Sequence, residues 1–65
     1  MMLLSEFLLQ YGDEFSTFAE LTKKLQTEAV STGQLYFQVD IEPPQYHDRP
    51  DDWHNQLELA FESAR

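Results

Sequence analysis

The chain has 65 residues, with 12 acidic side chains against four basic ones, a formal net charge of -8 and no cysteine. The missing cysteines exclude a disulfide framework, a thiolate zinc site and a cysteine nucleophile. The acidity argues against direct contact with nucleic acid, whose phosphates call for basic surface, and equally against docking on an anionic membrane.

A chain of this length makes one small domain, spanning residues 1–65, and buries only about 60% of the surface its unfolded form exposes. Its 42% apolar content, two glycines and three prolines argue for a folded rather than a low-complexity chain. The opening MMLLSEFLLQYGDE has no positive n-region, Glu6 interrupts its apolar run, and no small-residue cleavage site follows. That predicts no secretory signal. The run also falls far short of the roughly 20 apolar residues that span a bilayer. A cytoplasmic location is the expectation.

The first predicted helix covers residues 2–11, where Leu3, Leu4, Phe7, Leu8 and Tyr11 share one broad face. Met2 and Leu9 lie off that face, so either the helix is buried on two sides or part of it meets a partner, and a 65-residue monomer has little protein to cover both sides. Gly12 is expected to end it by turning left-handed. A second helix follows over residues 14–30. Thr17 and Glu20 match the capping box, although Ser16 or Asp13 are alternative caps. Phe18, Leu21, Leu25 and Ala29 make its apolar stripe, Lys23 and Lys24 point away, and Gly33 marks its exit.

Residues 34–42 form the clearest predicted strand. Leu35, Phe37, Val39 and Ile41 alternate with Gln34, Tyr36, Gln38, Asp40 and Glu42, a period of two with one apolar face. Pro43 and Pro44 stop it, since neither can donate to a ladder. The stretch PPQYHDRP, residues 43–50, is a stiff polar connection. Pro50 suits the first turn of a third helix, and Asp51 and Asp52 suit the positive end of its dipole. That helix runs to about residue 64. Trp53, Leu57, Ala60, Phe61 and Ala64 lie on one face, His54, Asn55, Glu58 and Glu62 around the other, and Leu59 sits off the stripe.

The predicted fold class is therefore α+β and mostly helical, in the order helix, helix, strand, helix. A lone strand leaves backbone N–H and C=O groups without partners. Residues 45–48 offer a short return strand, but the two prolines spoil a tight hairpin; the segment 34–42 not being a strand is the third alternative. Pairing between chains is expected, with a second copy or with the sheet edge of another protein. A core this small rarely supplies more than roughly 3–5 kcal/mol without disulfides, metal or oligomerisation. A homodimer is expected on both counts.

Nothing in the sequence carries catalysis. The only glycines are Gly12 and Gly33, so there is no phosphate-cradling loop, and no serine sits in a G-x-S-x-G turn. The chain is expected to be no enzyme and to take no cofactor. His47, Asp48, Asp51, Asp52 and His54 are ligand types that suit zinc or manganese. Their spacing matches no ligand motif, and aspartates ahead of a helix are ordinary caps; no metal site is expected. Among the aromatics, Phe18, Phe37 and Phe61 fall on core stripes. Tyr36, on the polar face of the strand, and Tyr46, in the polar connection, are candidate interface anchors.

The acidic residues are the main functional signal. From Glu28 onward eight acids face two arginines, Arg49 and Arg65. A negative face of this kind docks on a basic protein surface, with long-range attraction speeding encounter, or else serves only solubility. The expected function is a non-catalytic binding protein that inhibits or regulates a larger partner by covering a basic, nucleic-acid-handling surface. The partner-binding residues expected are Asp40, Glu42, Asp48, Asp51, Asp52, Glu58, Glu62, Tyr36 and Tyr46. The alternative is a homodimeric assembly module, or an antirepressor or antitoxin-type regulator, whose key residues are Met2, Leu9 and the strand. In general character the short, acidic, cysteine-free chain is similar to small phage-encoded inhibitors such as anti-CRISPR and DNA-mimic proteins. That likeness is one of composition and rests on no motif.

Overall fold

In the computed structural model, which describes residues 1–64, a two-residue strand β1 (Met2–Leu3) leads directly into helix α1 (Leu4–Tyr11). A 3-10 turn at Gly12–Glu14 separates α1 from helix α2 (Phe18–Thr32). Strand β2 (Phe37–Gln38) and helix α3 (Trp53–Ser63) complete the chain.

The apolar stripes on the helices meet as the sequence predicts. Leu4 and Phe7 of α1, Phe18, Leu21, Leu25 and Ala29 of α2, and Leu57, Ala60 and Phe61 of α3 form one buried cluster. Around it pack half-buried Met2, Leu8, Tyr11, Phe15, Phe37, Val39, Tyr46, Trp53 and Ala64. The capping box at Thr17 and Glu20 forms in both directions, with Thr17 Oγ1 accepting from the Glu20 amide at 3.1 Å and Glu20 Oε1 accepting from the Thr17 amide at 3.1 Å. Gly33 closes α2 at φ 66°, a left-handed position that a side chain would strain. Outside the core, the Tyr11 hydroxyl donates to Glu28 at 2.6 Å while Lys24 lies 4.6 Å above the Tyr11 ring, tying α1 to α2.

The sheet departs from expectation. The strand read at 34–42 contracts to Phe37–Gln38 and finds its neighbour inside the chain. Met2 and Leu3, expected to be the first turn of a helix, run parallel to it in the register Met2 to Phe37 and Leu3 to Gln38. The Met2 amide donates to the Tyr36 carbonyl at 2.9 Å. A parallel pair needs a long crossover, and α1 with α2 supplies it. An unpartnered strand therefore no longer motivates pairing between chains. The apolar alternation also overstates the strand: Leu35 is 60% exposed and Ile41 is 45% exposed, so half of the presumed inner face meets no core. Residues 45–48 make a turn rather than a return strand, with Tyr46 donating to the Pro44 carbonyl and Arg49 to the Tyr46 carbonyl.

Two helix starts also shift, and α1 ends at Tyr11 as expected but without the left-handed turn. Gly12 stays right-handed at φ -56° and its amide still donates to Leu8, so it continues the helical path into the 3-10 turn. The break comes at Phe15, whose extended backbone swings its ring against Phe7, with centroids 5.7 Å apart. Helix α2 consequently begins at Phe18 and not near residue 14. Pro50 lies two residues ahead of the Asp52 cap of α3 instead of in its first turn. Met2 packs on the core from the strand, which removes it from the exposed side of α1; Leu9, 89% exposed, stays off the apolar face. Among the described residues no helix is long and apolar enough to cross a membrane.

Candidate interaction surface

The long connection from β2 to α3 has almost no regular structure, and carboxylates fix its course. Asp48 faces the start of α2. Its two oxygens accept the Phe18 amide at 2.6 Å and the Ala19 amide at 3.1 Å. Thr17 Oγ1 takes the Glu20 amide at 3.1 Å, and Glu20 Oε1 takes the Thr17 amide at 3.1 Å. Each of the first four N–H groups of α2, orphaned by helix geometry, thus has an acceptor. Asp40 does the same at α1, accepting the Ser5 amide at 2.9 Å and the Ser5 hydroxyl at 2.5 Å. Both carboxylates sit at the positive end of a helix dipole. Two residues expected on the docking face therefore have a structural task inside the chain.

These bonds favour the charged carboxylates. The Ser5 hydroxyl, then the Ser5 amide, holds the Asp40 carboxyl below its ordinary value. The Phe18 amide, followed by that of Ala19, does so for Asp48. A depressed carboxyl contributes stability that is complete above the unfolded-state value near about pH 3.9 and is lost as pH falls through the folded value. Asp48→Asn is expected to melt several degrees below the parent at neutral pH, with the gap closing below about pH 4. Thermal melts of the two proteins across that range check this; a gap of constant size would mean that the Asp48 charge does not support α2.

The remaining acids divide by partner. Glu42 pairs with Arg49 at 2.8 Å, and Arg49 also donates to the Pro43 carbonyl at 2.7 Å and lies 5.5 Å from the Trp53 ring. Asp52 accepts from the Gln56 side chain, and Glu58 stands 3.7 Å from His54, which stacks on Trp53. Asp51, Asp52, Glu58 and Glu62 are all exposed. Tyr36 is 68% exposed, whereas Tyr46 is half-buried against the core, which with the nearby Asp48 and Glu20 charges raises its hydroxyl pKa. Among the described residues no three His, Asp or Glu side chains converge as metal ligands. Asp48 of the histidine–aspartate set is turned to α2, and His54 to Trp53 and Glu58.

One feature escapes the one-dimensional reading. Leu35, Tyr36 and Phe37 face Glu58, Phe61 and Glu62 of α3 across a groove of about 390 Å³. Phe37 stacks on Phe61 at 5.2 Å in its wall. The residues are predicted individually on a strand and a helix, but nothing local in the sequence announces that the two acids of α3 rim the cleft beside the strand.

Comparison with known proteins finds no matching family model, no matching curated protein and no matching solved structure.

Proposed function

We propose that this chain is a non-catalytic binding protein that inhibits or regulates a larger protein by covering a basic surface, of the kind that handles nucleic acid. The supporting observation is the imbalance of charge on α3 and the segment before it. Asp51, Asp52, Glu58 and Glu62 are exposed there, while Arg49, the one lysine or arginine among the described residues after α2, is turned inward onto Glu42, Pro43 and Trp53. Arg65 lies outside the described residues. With Asp40 and Asp48 committed to helix starts, the docking face centres on these four acids, with Tyr36 as the exposed aromatic anchor.

The test is made on a partner captured from the native host. Affinity is expected to fall steeply between about 0.1 M and 1 M salt, as the Debye length shrinks from about 10 Å to about 3 Å. Reversing the charges at Asp51, Asp52, Glu58 and Glu62 is expected to slow association about tenfold or more and to flatten the salt dependence. Circular dichroism establishes that the variant is folded. A folded variant with unchanged affinity and salt dependence would sink the proposal.

The second reading, a homodimeric assembly module, draws on exposed Leu9 and Leu59. Its mark is a salt-insensitive dimer by light scattering after size exclusion.

A further inference from the structure

The chain from Asp40 to Pro50 lies as a strap across the starts of two helices. Among the described residues its backbone–backbone hydrogen bonds are local ones, from the Tyr46 amide to the Pro44 carbonyl and from the Arg49 amide to the Tyr46 carbonyl. Pro43 is buried and Tyr46 half-buried against the core, while most of the strap is exposed. Its remaining ties are polar. At one end Asp40 accepts from Ser5 of α1. At the other Asp48 accepts from Phe18 and Ala19 of α2, and Arg49 lies 5.5 Å from the Trp53 ring of α3. Arg49 also clasps the two ends together, through Glu42 at 2.8 Å and the Pro43 carbonyl at 2.7 Å. The buried apolar cluster, by contrast, is drawn from the three helices alone.

We infer that residues 40–50 open and close as one unit against a helical body that stays folded, and that Asp40 and Asp48 are its two coupled latches. Segments with few buried apolar contacts and few main-chain bonds open at free energies well below that of the whole domain. The strap has both properties, and the core is complete without it. Coupling follows from the clasp. Because Glu42 and Arg49 join the two ends, movement of one end carries the other. Once one latch has set the strap, the second carboxylate is already beside its donors and closes with less loss of chain entropy. Each latch in turn supplies an acceptor to first-turn N–H groups that helix geometry leaves without one. The device reaches α3 as well, since Pro50 leads directly into Asp51 and Asp52 and the closed strap sets where those two acids stand.

The test is native-state hydrogen exchange of the full chain in increasing urea, read amide by amide. The amides of Ser5, Phe18, Ala19, Tyr46 and Arg49 report on the strap, because each donates to a latch or within it. They are expected to share one modest protection with a weak dependence on urea. The amides of Leu25 and Leu57, buried in α2 and α3, are expected to be better protected and to depend steeply on urea. Asp48→Asn is expected to speed exchange about tenfold at Phe18 and Ala19, and by a similar factor at Ser5, which Asp48 does not touch. Asp40→Asn is expected to do the reverse, speeding Phe18 and Ala19 along with Ser5. A Ser5 amide unmoved by Asp48→Asn would mean that the latches act separately, and would overturn the inference. Strap amides with the protection and urea dependence of Leu25 and Leu57 would overturn it too, because opening would then be global. The urea series on the unaltered chain decides that point even if a variant proves too weak to study. The chain is tested alone, so either failure leaves the acidic-face reading as it stands.

Discussion

Replacing Phe61 by alanine is expected to leave the chain largely unfolded at room temperature. Phe61 is 2% exposed, stands on the core side of α3 and stacks on Phe37. Truncating a buried phenylalanine costs about 3–5 kcal/mol, part lost transfer energy and part the cavity left behind. A domain of this size, with no disulfide, has roughly 3–5 kcal/mol in total. The two are equal in scale, so the folded and unfolded populations become comparable or the balance inverts. Leu59→Ala, two residues earlier on the same helix, is the control. Leu59 is 53% exposed, and its loss is expected to move stability by no more than about 0.5 kcal/mol. Urea titrations followed by helical circular dichroism separate the two. Comparable damage from both would mean that α3 packs through a different face.

What the sequence makes legible is whatever is written in local periods. The stripes at Phe18, Leu21, Leu25 and Ala29, and at Leu57, Ala60 and Phe61, repeat at helical spacing, and all seven are buried. The capping box is a four-residue pattern and forms as such. The caps supplied by Asp40 and Asp48 are of another kind. Asp40 reaches Ser5 across 35 residues, and Asp48 reaches Phe18 across 30. In sequence these aspartates look like any other surface acids, because the donors they accept from come within reach only once the chain has closed. The mistaken length of the strand has a related cause. Alternation reports that one face is apolar, not that a neighbour is available along its whole length. Here the available neighbour is two residues long, since Leu4 already belongs to α1. Met2 and Leu3 could have been recognised as strand only by knowing that Phe37 would come beside them. The groove follows from the same closure: Glu58 and Glu62 are visible as a helical pair, and their position beside β2 is not.

Phe37→Asp is expected to unfold the chain, while Gln38→Asp, its neighbour in β2, is expected to leave it folded. Phe37 turns its ring onto Phe61, whereas Gln38 is exposed, and a strand sends successive side chains to opposite faces. The aspartate at 37 loses the ring contact and places a carboxylate against an apolar floor with Glu58 and Glu62 along the same groove. Desolvation and like charge both oppose its ionised form. Phe37→Ala separates the two contributions. Because Phe37 is half-buried, loss of the ring alone is expected to cost about 2 kcal/mol, which leaves the domain weakened but folded. The further fall from alanine to aspartate then measures what the groove imposes on a negative charge. Gln38 keeps its amide bond to β1 in all cases, since that bond belongs to the backbone and not to the side chain. Thermal melts of the three variants decide the matter. Equal destabilisation by Phe37→Asp and Gln38→Asp would place both residues against protein and would require a different pairing of β1 with β2. An alanine variant as damaged as the aspartate one would mean that the acidic rim adds nothing at this position.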